Sequence, residues 1–342
     1  MVGVGLMPTA QTATGTEERH TVRVLLIGGT GFLGYHASLA LRSHGHQVAA
    51  LARSVPKGDL LPADVGVYVA DIATLDEAEL RALLEQFDAV VFAAGADDRA
   101  VPAAPAYPYF RDANVVPVVR LVRTARKAGL LRVVILGSYF AFFDRLWPGL
   151  EIAGRHPYVR SRVEQTTEAF AAAEGEIDVV TLELPYVFGA TPGRVPLWAP
   201  LIRYIRSPAP VFSTKGGTNM IAVGHVGEAV VGAVERGLGR MRYLVGDENL
   251  RWVAFLERLS AAAGRRRKVI TVPTPIVRAG LFGVKAYHKT RSREAGLDPV
   301  AFVDLQTAET FFDPSVSRSQ LGYGSGSLDE AFEATARASV AE

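Results

Sequence analysis

The chain has 342 residues, of which 49% are hydrophobic and 21% charged, the balance of an ordinary globular protein. Its 37 basic and 35 acidic side chains leave a formal charge of +2, so no electrostatic case for a nucleic-acid partner exists. Cysteine is absent, which excludes disulfides and thiolate catalysis, and the histidines lack metal-ligand spacing, so no metal site is predicted.

Residues 1–20 lack the pattern of a signal peptide and are predicted to be a flexible tail. No apolar stretch is long enough to span a membrane, so we expect a cytoplasmic, soluble protein without a membrane partner.

From residue 21 onward, short apolar runs alternate with amphipathic segments. The predicted strands are 22–27, 48–52, 67–70, 89–93, 133–136 and 179–184. The predicted helices are 32–42, 75–86, 114–128, 159–173, 227–236 and 251–264. Apolar strands that alternate with helices indicate an α/β fold, a doubly wound Rossmann sheet covered on both faces.

The domain boundaries follow from a change in amino-acid composition after Pro185. Residues 21–185 are predicted to form the dinucleotide-binding core, with 221–250 rejoining it. The segment 186–220 is rich in proline and glycine, and together with 251–342 it is assigned to a smaller C-terminal substrate-binding lobe. Ligands of such sheets bind beyond the carboxyl ends of the strands, so the lobe should cap that crevice.

A glycine-rich turn joins the first predicted strand to the first predicted helix. Such a turn reverses the chain sharply, lets the backbone approach a pyrophosphate and presents the helix N-terminus to the phosphates. The spacing fits Gly-x-Gly-x-x-Gly with the strand and helix where the mechanism needs them. The residues assigned to the cofactor here are Gly28, Thr30, Gly31, Phe32, Leu33 and Gly34.

The end of the second predicted strand bears on which dinucleotide binds. An acidic residue there would bind the 2′-hydroxyl of NAD, but the strand ends with Arg53 and Ser54. Arginine can pair with a 2′-phosphate and serine can add a hydrogen bond. The sequence therefore favours NADP, with NAD as the alternative.

Three residues form a candidate catalytic group. Ser138 follows a predicted strand, and Tyr158 and Arg162 lie four residues apart at the start of a predicted helix, on one helix face. A cation beside a tyrosine favours release of the phenolic proton, so this tyrosine could exchange a proton with a carbonyl or alcohol. The serine hydroxyl could hold the substrate oxygen.

With these features the chain resembles the short-chain dehydrogenase/reductase superfamily, in its extended, epimerase/dehydratase-like branch, over about residues 22–335. The resemblance implies that Ser138 and Tyr158 are catalytic and that Asn114 supports them. It also implies cofactor contacts from Arg162 and from residues that follow the later predicted strands. These are Asp71, Ile72, Ala93, Ala94, Gly95, Arg162, Pro185 and Val187.

The chain departs from the family pattern at three positions. The family motif is Tyr-x-x-x-Lys, and Arg162 stands where the lysine would be; Leu184 and Gly137 replace a common arginine and serine. Arginine keeps a positive charge beside Tyr158 and can hold ribose hydroxyls, but it cannot be deprotonated and so cannot join a proton relay.

Aromatic side chains dominate the region expected around the substrate, which suits a carbonyl or alcohol on a fairly hydrophobic small molecule. The residues assigned to substrate contact are Tyr139, Phe140, Tyr186, Phe188 and Trp198. The first hypothesis is an NADP(H)-dependent oxidoreductase. The alternatives are a nucleotide-sugar epimerase or dehydratase with tightly bound NAD(P), and a catalytically silent NADP-binding sensor; a homodimer is compatible with all three.

One basic run, residues 265–268, belongs to none of these motifs. It follows a predicted helix and precedes an apolar run, so we interpret it as a solvated helix end, with a phosphate or nucleic-acid patch as the alternative.

Overall fold

The computed structural model describes residues 21–56, 58 and 60–340. The predicted flexible tail, residues 1–20, lies outside the described residues. The strands are β1 Arg23–Ile27, β2 Gln47–Ala52, β3 Gly66–Val69, β4 Ala89–Phe92, β5 Arg132–Ser138, β6 Asp178–Leu184, β7 Tyr186–Phe188, β8 Val211–Ser213, β9 Gly217–Ala222, β10 Met241–Leu244, β11 Glu248–Arg251, β12 Val269–Thr271 and β13 Glu309–Thr310. The helices are α1 Phe32–Ser43, α2 Glu77–Leu84, α3 Tyr107–Asn114, α4 Val116–Lys127, α5 Phe140–Leu146, α6 Ile152–Arg155, α7 Pro157–Ala172, α8 Ala199–Arg206, α9 Val223–Arg236, α10 Trp252–Ala262, α11 Thr274–Thr290, α12 Phe302–Thr307, α13 Ser315–Leu321 and α14 Leu328–Ala338, with a 3₁₀ turn at Pro148–Leu150.

Seven parallel strands form the main sheet in the order β10-β6-β5-β4-β1-β2-β3. The chain reverses its winding direction between β1 and β4, which opens a crevice at the carboxyl ends of these two strands. This arrangement is the doubly wound α/β sheet expected from the sequence.

Two hydrophobic cores cover the faces of the sheet. On one face, Leu41 of α1 and Val230 of α9 pack with Leu26 of β1. On the other face, Leu121 of α4 and Ala169 of α7 join a second cluster. Burial of each large aliphatic side chain contributes about 1.5–3 kcal/mol, so the sandwiched sheet forms a rigid base for the strand ends.

The predicted helix 114–128 is wrong as a single element. The structure has two helices, α3 and α4, which meet at Val115. Pro117 lies in the first turn of α4, where its missing N–H is tolerated, whereas inside a continuous helix it would break a hydrogen bond. The break places Asn114 at the last position of α3. Ser138 also differs from its predicted position, because it is the last residue of β5 and does not follow the strand.

The smaller part of the molecule contains more regular structure than its proline and glycine content predicts. A second sheet has the order β11-β9-β13, with β7 also paired to β9, and β8 pairs with β12. Phe188, Ile202 and Phe332 lie in its core. Of residues 221–250, α9 and β10 belong to the main sheet and its covering layer, whereas β11 belongs to the second sheet.

Strand β9 of the second sheet ends at Ala222, and α9, which covers the main sheet, begins at the next residue, so the two sheets are joined here without a linker. The Asp247 carboxylate accepts hydrogen bonds from the Ala222 backbone N–H at 2.9 Å and from the His225 ring at 2.8 Å. The hydrogen bond to Asp247 raises the pKa of His225.

Among the described residues, no helix has the length and apolar character to cross a membrane.

Candidate active site

The glycine turn lies between the carboxyl end of β1 and the first turn of α1. Gly28 has φ of 82°, a left-handed conformation that favours glycine, and its N–H donates to the Leu51 carbonyl at 2.9 Å. The N-cap of α1 is Gly31, and no side chain of residues 21–56, 58 and 60–340 caps this helix. The N–H groups of its first turn therefore remain open to an anionic ligand at the positive end of the helix dipole.

Backbone proximity explains why glycine occupies this turn. A Cβ on Gly34 would lie 2.2 Å from the Gly28 carbonyl oxygen, and a Cβ on Gly28 would lie 3.0 Å from the Ala93 carbonyl oxygen. Because these positions have no side chain, the turn packs directly against the end of β4. The space that side chains of the turn would otherwise fill stays free for a ligand. This cradle fits the pyrophosphate of a dinucleotide.

The residues assigned to the adenosine end lie beyond β2 and β3. Arg53 and Ser54 follow β2 directly and are both exposed. Asp71 follows β3, and its carboxylate accepts a hydrogen bond from the Ala73 N–H at 2.9 Å. Ile72 is buried next to it. The structure thus places these four residues at the carboxyl edge of the sheet, beside the turn.

Asn114 fastens the loop that follows β4 to the helix that carries Tyr158. Its side-chain oxygen accepts from the Ala96 N–H at 2.8 Å, and its amide donates to the Ser161 hydroxyl at 3.1 Å. Gly95 has φ of 124°, and a Cβ there would lie 2.4 Å from the Asn114 oxygen. Asn114 is fully buried, so this network fixes the loop containing Ala94 and Gly95 against α7.

Tyr158 and Arg162 lie on one face of α7, as their spacing predicts. The guanidinium carbon of Arg162 is 5.3 Å from the centre of the Tyr158 ring. Arg162 donates to Gln165 at 3.1 Å and to the Ala96 carbonyl at 3.4 Å, whereas its buried Nε has no hydrogen-bond partner within the described structure. A guanidinium in this position keeps a positive charge beside the phenol, and the remaining N–H groups of its terminal nitrogens are the donors that could bind ribose hydroxyls.

Ser138 lies at the carboxyl end of β5, in register with Leu184 of β6. Its hydroxyl accepts only a long bond, 3.4 Å, from the Phe140 N–H, so it can still donate to another group. Pro185 is buried after β6, and Val187, half-buried in β7, packs against the sheet core. These positions border the same edge of the sheet.

The aromatic residues assigned to the substrate differ in exposure. Tyr139 and Phe140 are 2% and 3% exposed, and the Tyr139 hydroxyl is 2.8 Å from the Thr218 hydroxyl. Phe188 is fully buried and stacks on Trp198 with ring centres 4.6 Å apart. Tyr186 is half-buried between Trp198 and Tyr139. Burial raises the pKa of both Tyr139 and Tyr186, so these phenols stay protonated near neutral pH.

Sequence reasoning missed Asp98. This half-buried aspartate lies in the loop after β4. On one side of it in the chain, the Ala96 N–H donates to Asn114. On the other side, Arg99 donates to the Leu197 carbonyl at 3.1 Å. Burial raises the pKa of its carboxyl, with Arg99 and Arg162 acting in the opposite direction. Its charge also contributes to the raised pKa values of Tyr139 and Tyr186. The signal available in the sequence was an acidic pair at the carboxyl end of an apolar strand.

His156 is the N-cap of α7 and is structural in this arrangement. It is 2% exposed, and its Nδ1 accepts a hydrogen bond from the Asp298 N–H at 2.9 Å, which requires that nitrogen to be unprotonated. Burial lowers the pKa of His156 to about 4. The histidine thereby fixes residues 296–298 beside the start of α7, where the Tyr158 N–H donates to the Gly296 carbonyl at 3.0 Å.

The buried neutral state of His156 leads to a pH prediction. The unfolded chain binds a proton at this residue near pH 6.5 but the folded protein only near pH 4, so stability is complete above pH 6.5 and falls as the pH drops towards 4. We expect a loss of up to about 3 kcal/mol from this group. Urea unfolding from pH 7.5 to 4 should show a smaller decline in His156→Asn, which can accept the same bond without titrating; an equal decline would contradict the assignment.

A family model and two known proteins are similar to this chain in sequence. The model of the NAD dependent epimerase/dehydratase family matches residues 24–235. The chain is 32% identical over 188 residues, 49% of the chain and 53% of the relative, to a dTDP-6-deoxy-L-talose 4-dehydrogenase (NAD(P)(+)) from Kitasatospora kifunensis. The match therefore spans about half the length of that relative. A Synechocystis protein named "Putative dihydroflavonol 4-reductase" is 25% identical over 89% of this chain and 90% of its own.

A solved structure agrees with the fold. The UDP-glucuronic acid 4-epimerase from Bacillus cereus, in complex with NAD, superposes with a TM-score of 0.66 at 14% identity, over 93% of this chain and 98% of the epimerase. Identity at this level shows the fold alone, whereas the family model extends from β1 through α9 and includes the glycine turn and the Tyr158 helix. The chain belongs to the NAD dependent epimerase/dehydratase family and is an NAD(P)-dependent enzyme of the extended short-chain dehydrogenase/reductase type.

Proposed function

We propose that the protein is an NADP(H)-dependent oxidoreductase that acts on a carbonyl or alcohol group of a fairly hydrophobic small molecule. The observation that carries this proposal is the pairing of Tyr158 with the Arg162 guanidinium, 5.3 Å from the ring, on the helix that Asn114 fastens to the β4 loop. A nicotinamide cofactor, when bound, supplies or accepts the hydride.

Each residue of this group has a role in the proposal. The Tyr158 hydroxyl donates a proton to the substrate oxygen during reduction and takes it back during oxidation. Ser138 donates a hydrogen bond to the same oxygen and orients it. Arg162 binds the cofactor ribose and stabilises negative charge on the tyrosine oxygen. Because arginine stays protonated, the proton that Tyr158 gives up returns from solvent or from another acid, and not through this side chain.

The aromatic surroundings support an apolar substrate. The half-buried Tyr186 packs against Tyr139 and Trp198, and Asp98 and Arg99 are the charged side chains that act on its pKa. The carbonyl-reducing activity in the name of the Synechocystis relative supports the same reaction class. Incubation with NADPH and a panel of aromatic and aliphatic ketones should reveal oxidation of the cofactor by its absorbance.

Arg53 is the basis for preferring NADP. It is exposed directly after β2, next to the strand that carries the glycine turn, where it can pair with a 2′-phosphate. We expect Arg53→Ala to weaken NADPH binding about tenfold or more and to leave NADH binding nearly unchanged. Fluorescence titration with both cofactors measures this, with Arg81→Ala in α2 as the control; equal weakening of the two would refute the assignment.

A nucleotide-sugar epimerase or dehydratase is the second candidate. The Kitasatospora relative is named as a dehydrogenase of a dTDP-sugar, so it supports the substrate class but not the recycling of the cofactor, whereas the Bacillus structure is named as a 4-epimerase of a UDP-sugar. Such an enzyme would recycle its cofactor, so a purified sample would carry bound dinucleotide and convert a UDP- or dTDP-sugar without net change in NADPH. Stoichiometric oxidation of added NADPH by a simple ketone would instead favour the first candidate.

A further inference from the structure

The charge of this protein is unevenly distributed. The whole chain has a formal charge of +2, yet residues 265–293 contain nine basic side chains and no acidic one. The basic residues in this stretch are Arg265, Arg266, Arg267, Lys268, Arg278, Lys285, Lys289, Arg291 and Arg293. Neither the proposed reaction nor the cofactor site uses them.

Some of these cations are committed to internal contacts. Arg265 and Arg267 donate to backbone carbonyls at the end of α8, which differs from the purely solvated helix end predicted from the sequence. Arg266, Lys268 and Lys289 are exposed, and none forms an ion pair within the described part of the chain. They therefore leave positive charge facing solvent.

Helix α11 lies inside this cationic stretch and has no buried residue. Ion pairs tie one side of it to the body, Arg278 to Asp304 at 2.6 Å and Lys285 to Asp298 at 2.5 Å. The other side carries Ile276, 62% exposed, and Tyr287, 58% exposed.

The spacing along α11 makes its outer side continuous. Ile276, Gly280, Gly283 and Tyr287 are separated by four, three and four residues, so they form one stripe without a charged member. Phe282, 56% exposed, lies on the helix flank.

Two further exposed apolar side chains lie on the strand pair that precedes α11 in the chain. Ile270 of β12 is in register with Phe212 of β8, and the two side chains are 47% and 51% exposed. Only Val272 and Pro273 separate β12 from α11. We call the exposed side chains of β8, β12 and α11, with Arg266 and Lys268, the basic apolar surface.

We propose that the basic apolar surface docks the protein onto a membrane surface containing anionic phospholipids, which differs from the absence of a membrane partner expected from the sequence. Apolar side chains that can enter the headgroup boundary, together with exposed lysine and arginine side chains that pair with no carboxylate of the described residues, match the requirements of an interfacial helix. A second copy of this chain fits less well, because a symmetric contact would bring the same unpaired cations of both copies together. The docking is peripheral, in keeping with the length of α11.

Vesicle flotation tests the proposal with the full-length protein. We expect binding to phosphatidylcholine vesicles that contain phosphatidylglycerol, weak binding to phosphatidylcholine alone, and release at high salt. The variant Ile276→Ser/Phe282→Ser/Tyr287→Ser should lose at least about tenfold in partitioning. The matched control Leu131→Ser/Leu238→Ser/Val316→Ser replaces side chains that are 70%, 57% and 65% exposed elsewhere and should bind as the wild type does.

Charge reversal gives an independent readout. The variant Arg266→Glu/Lys268→Glu/Lys289→Glu should bind anionic vesicles at least about tenfold more weakly. Arg123→Glu/Arg240→Glu/Arg337→Glu should retain binding. Thermal unfolding and cofactor titration of each variant show that it remains folded.

Three results would overturn the proposal. The first is an absence of wild-type binding to anionic vesicles, and the second is equal binding by the serine variant. The third is a wild-type dimer in sedimentation that the serine variant converts to a monomer, without any vesicle binding, which would assign the surface to self-association. None of these measurements depends on turnover, so failure here is distinguishable from failure of the proposed reaction.

Discussion

Tyr158→Phe should reduce kcat/KM for ketone reduction by about 10²–10⁴-fold, because the variant keeps the ring and loses the only proton donor placed on the substrate oxygen by our proposal. Cofactor affinity should stay within about twofold, since the hydroxyl is not assigned to dinucleotide binding. Steady-state kinetics with NADPH and a ketone from the panel measures the first quantity, and fluorescence titration the second.

Two variants make this test specific. Tyr109→Phe removes the hydroxyl of a tyrosine that is 46% exposed on α3 and should leave the rate unchanged. Arg162→Lys restores the family motif and should keep or raise activity, because lysine also carries the charge and adds a titratable proton. A phenylalanine variant as active as the wild type would refute the mechanism, and a complete loss in Arg162→Lys would show that arginine has a specific role.

Gly34→Ala should weaken dinucleotide binding at least about tenfold and lower the free energy of unfolding by roughly 1–3 kcal/mol. The new Cβ would lie 2.2 Å from the Gly28 carbonyl oxygen and 2.7 Å from the Gly29 Cα, both backbone atoms that cannot rotate away. Relief of this overlap requires α1 to move from β1, which displaces the N–H groups that face the phosphates. Titration with NADPH and urea unfolding measure the two effects.

Gly224→Ala is the matched control, because it is also a helical glycine and no atom lies within 4 Å of its added Cβ. In that helix alanine should be neutral or stabilising by up to about 1 kcal/mol. If Gly34→Ala binds NADPH as tightly as Gly224→Ala does, the close approach at the turn is not required for binding.

The Rossmann sheet could be predicted from the sequence because strands buried on both faces are nearly continuous apolar runs, as in β1 and β4. The glycine turn was equally accessible, since its spacing and its flanking elements are local in the chain. The pairing of Tyr158 with Arg162 followed from helical periodicity alone. Whether Ser138 and the aromatic residues contact a substrate stays a prediction.

Other features depend on contacts that local sequence does not encode. The division between α3 and α4 was missed because the apolar pattern runs through Val115 without interruption, and only Pro117 marks it. Asp98 gains its perturbed carboxyl from burial beside residues far away in the chain. Helix α11 was missed because Gly280 and Gly283 lower its intrinsic helix propensity.

The direct passage from β9 into α9 limits how the crevice can open. With no residue between strand and helix, and with Asp247 bonded to both Ala222 and His225, this junction cannot serve as a hinge. A displacement of the second sheet relative to the main sheet would have to be absorbed elsewhere, such as at Pro185, the single residue between β6 and β7. Strands β7 and β9, which pair in register, would then move together.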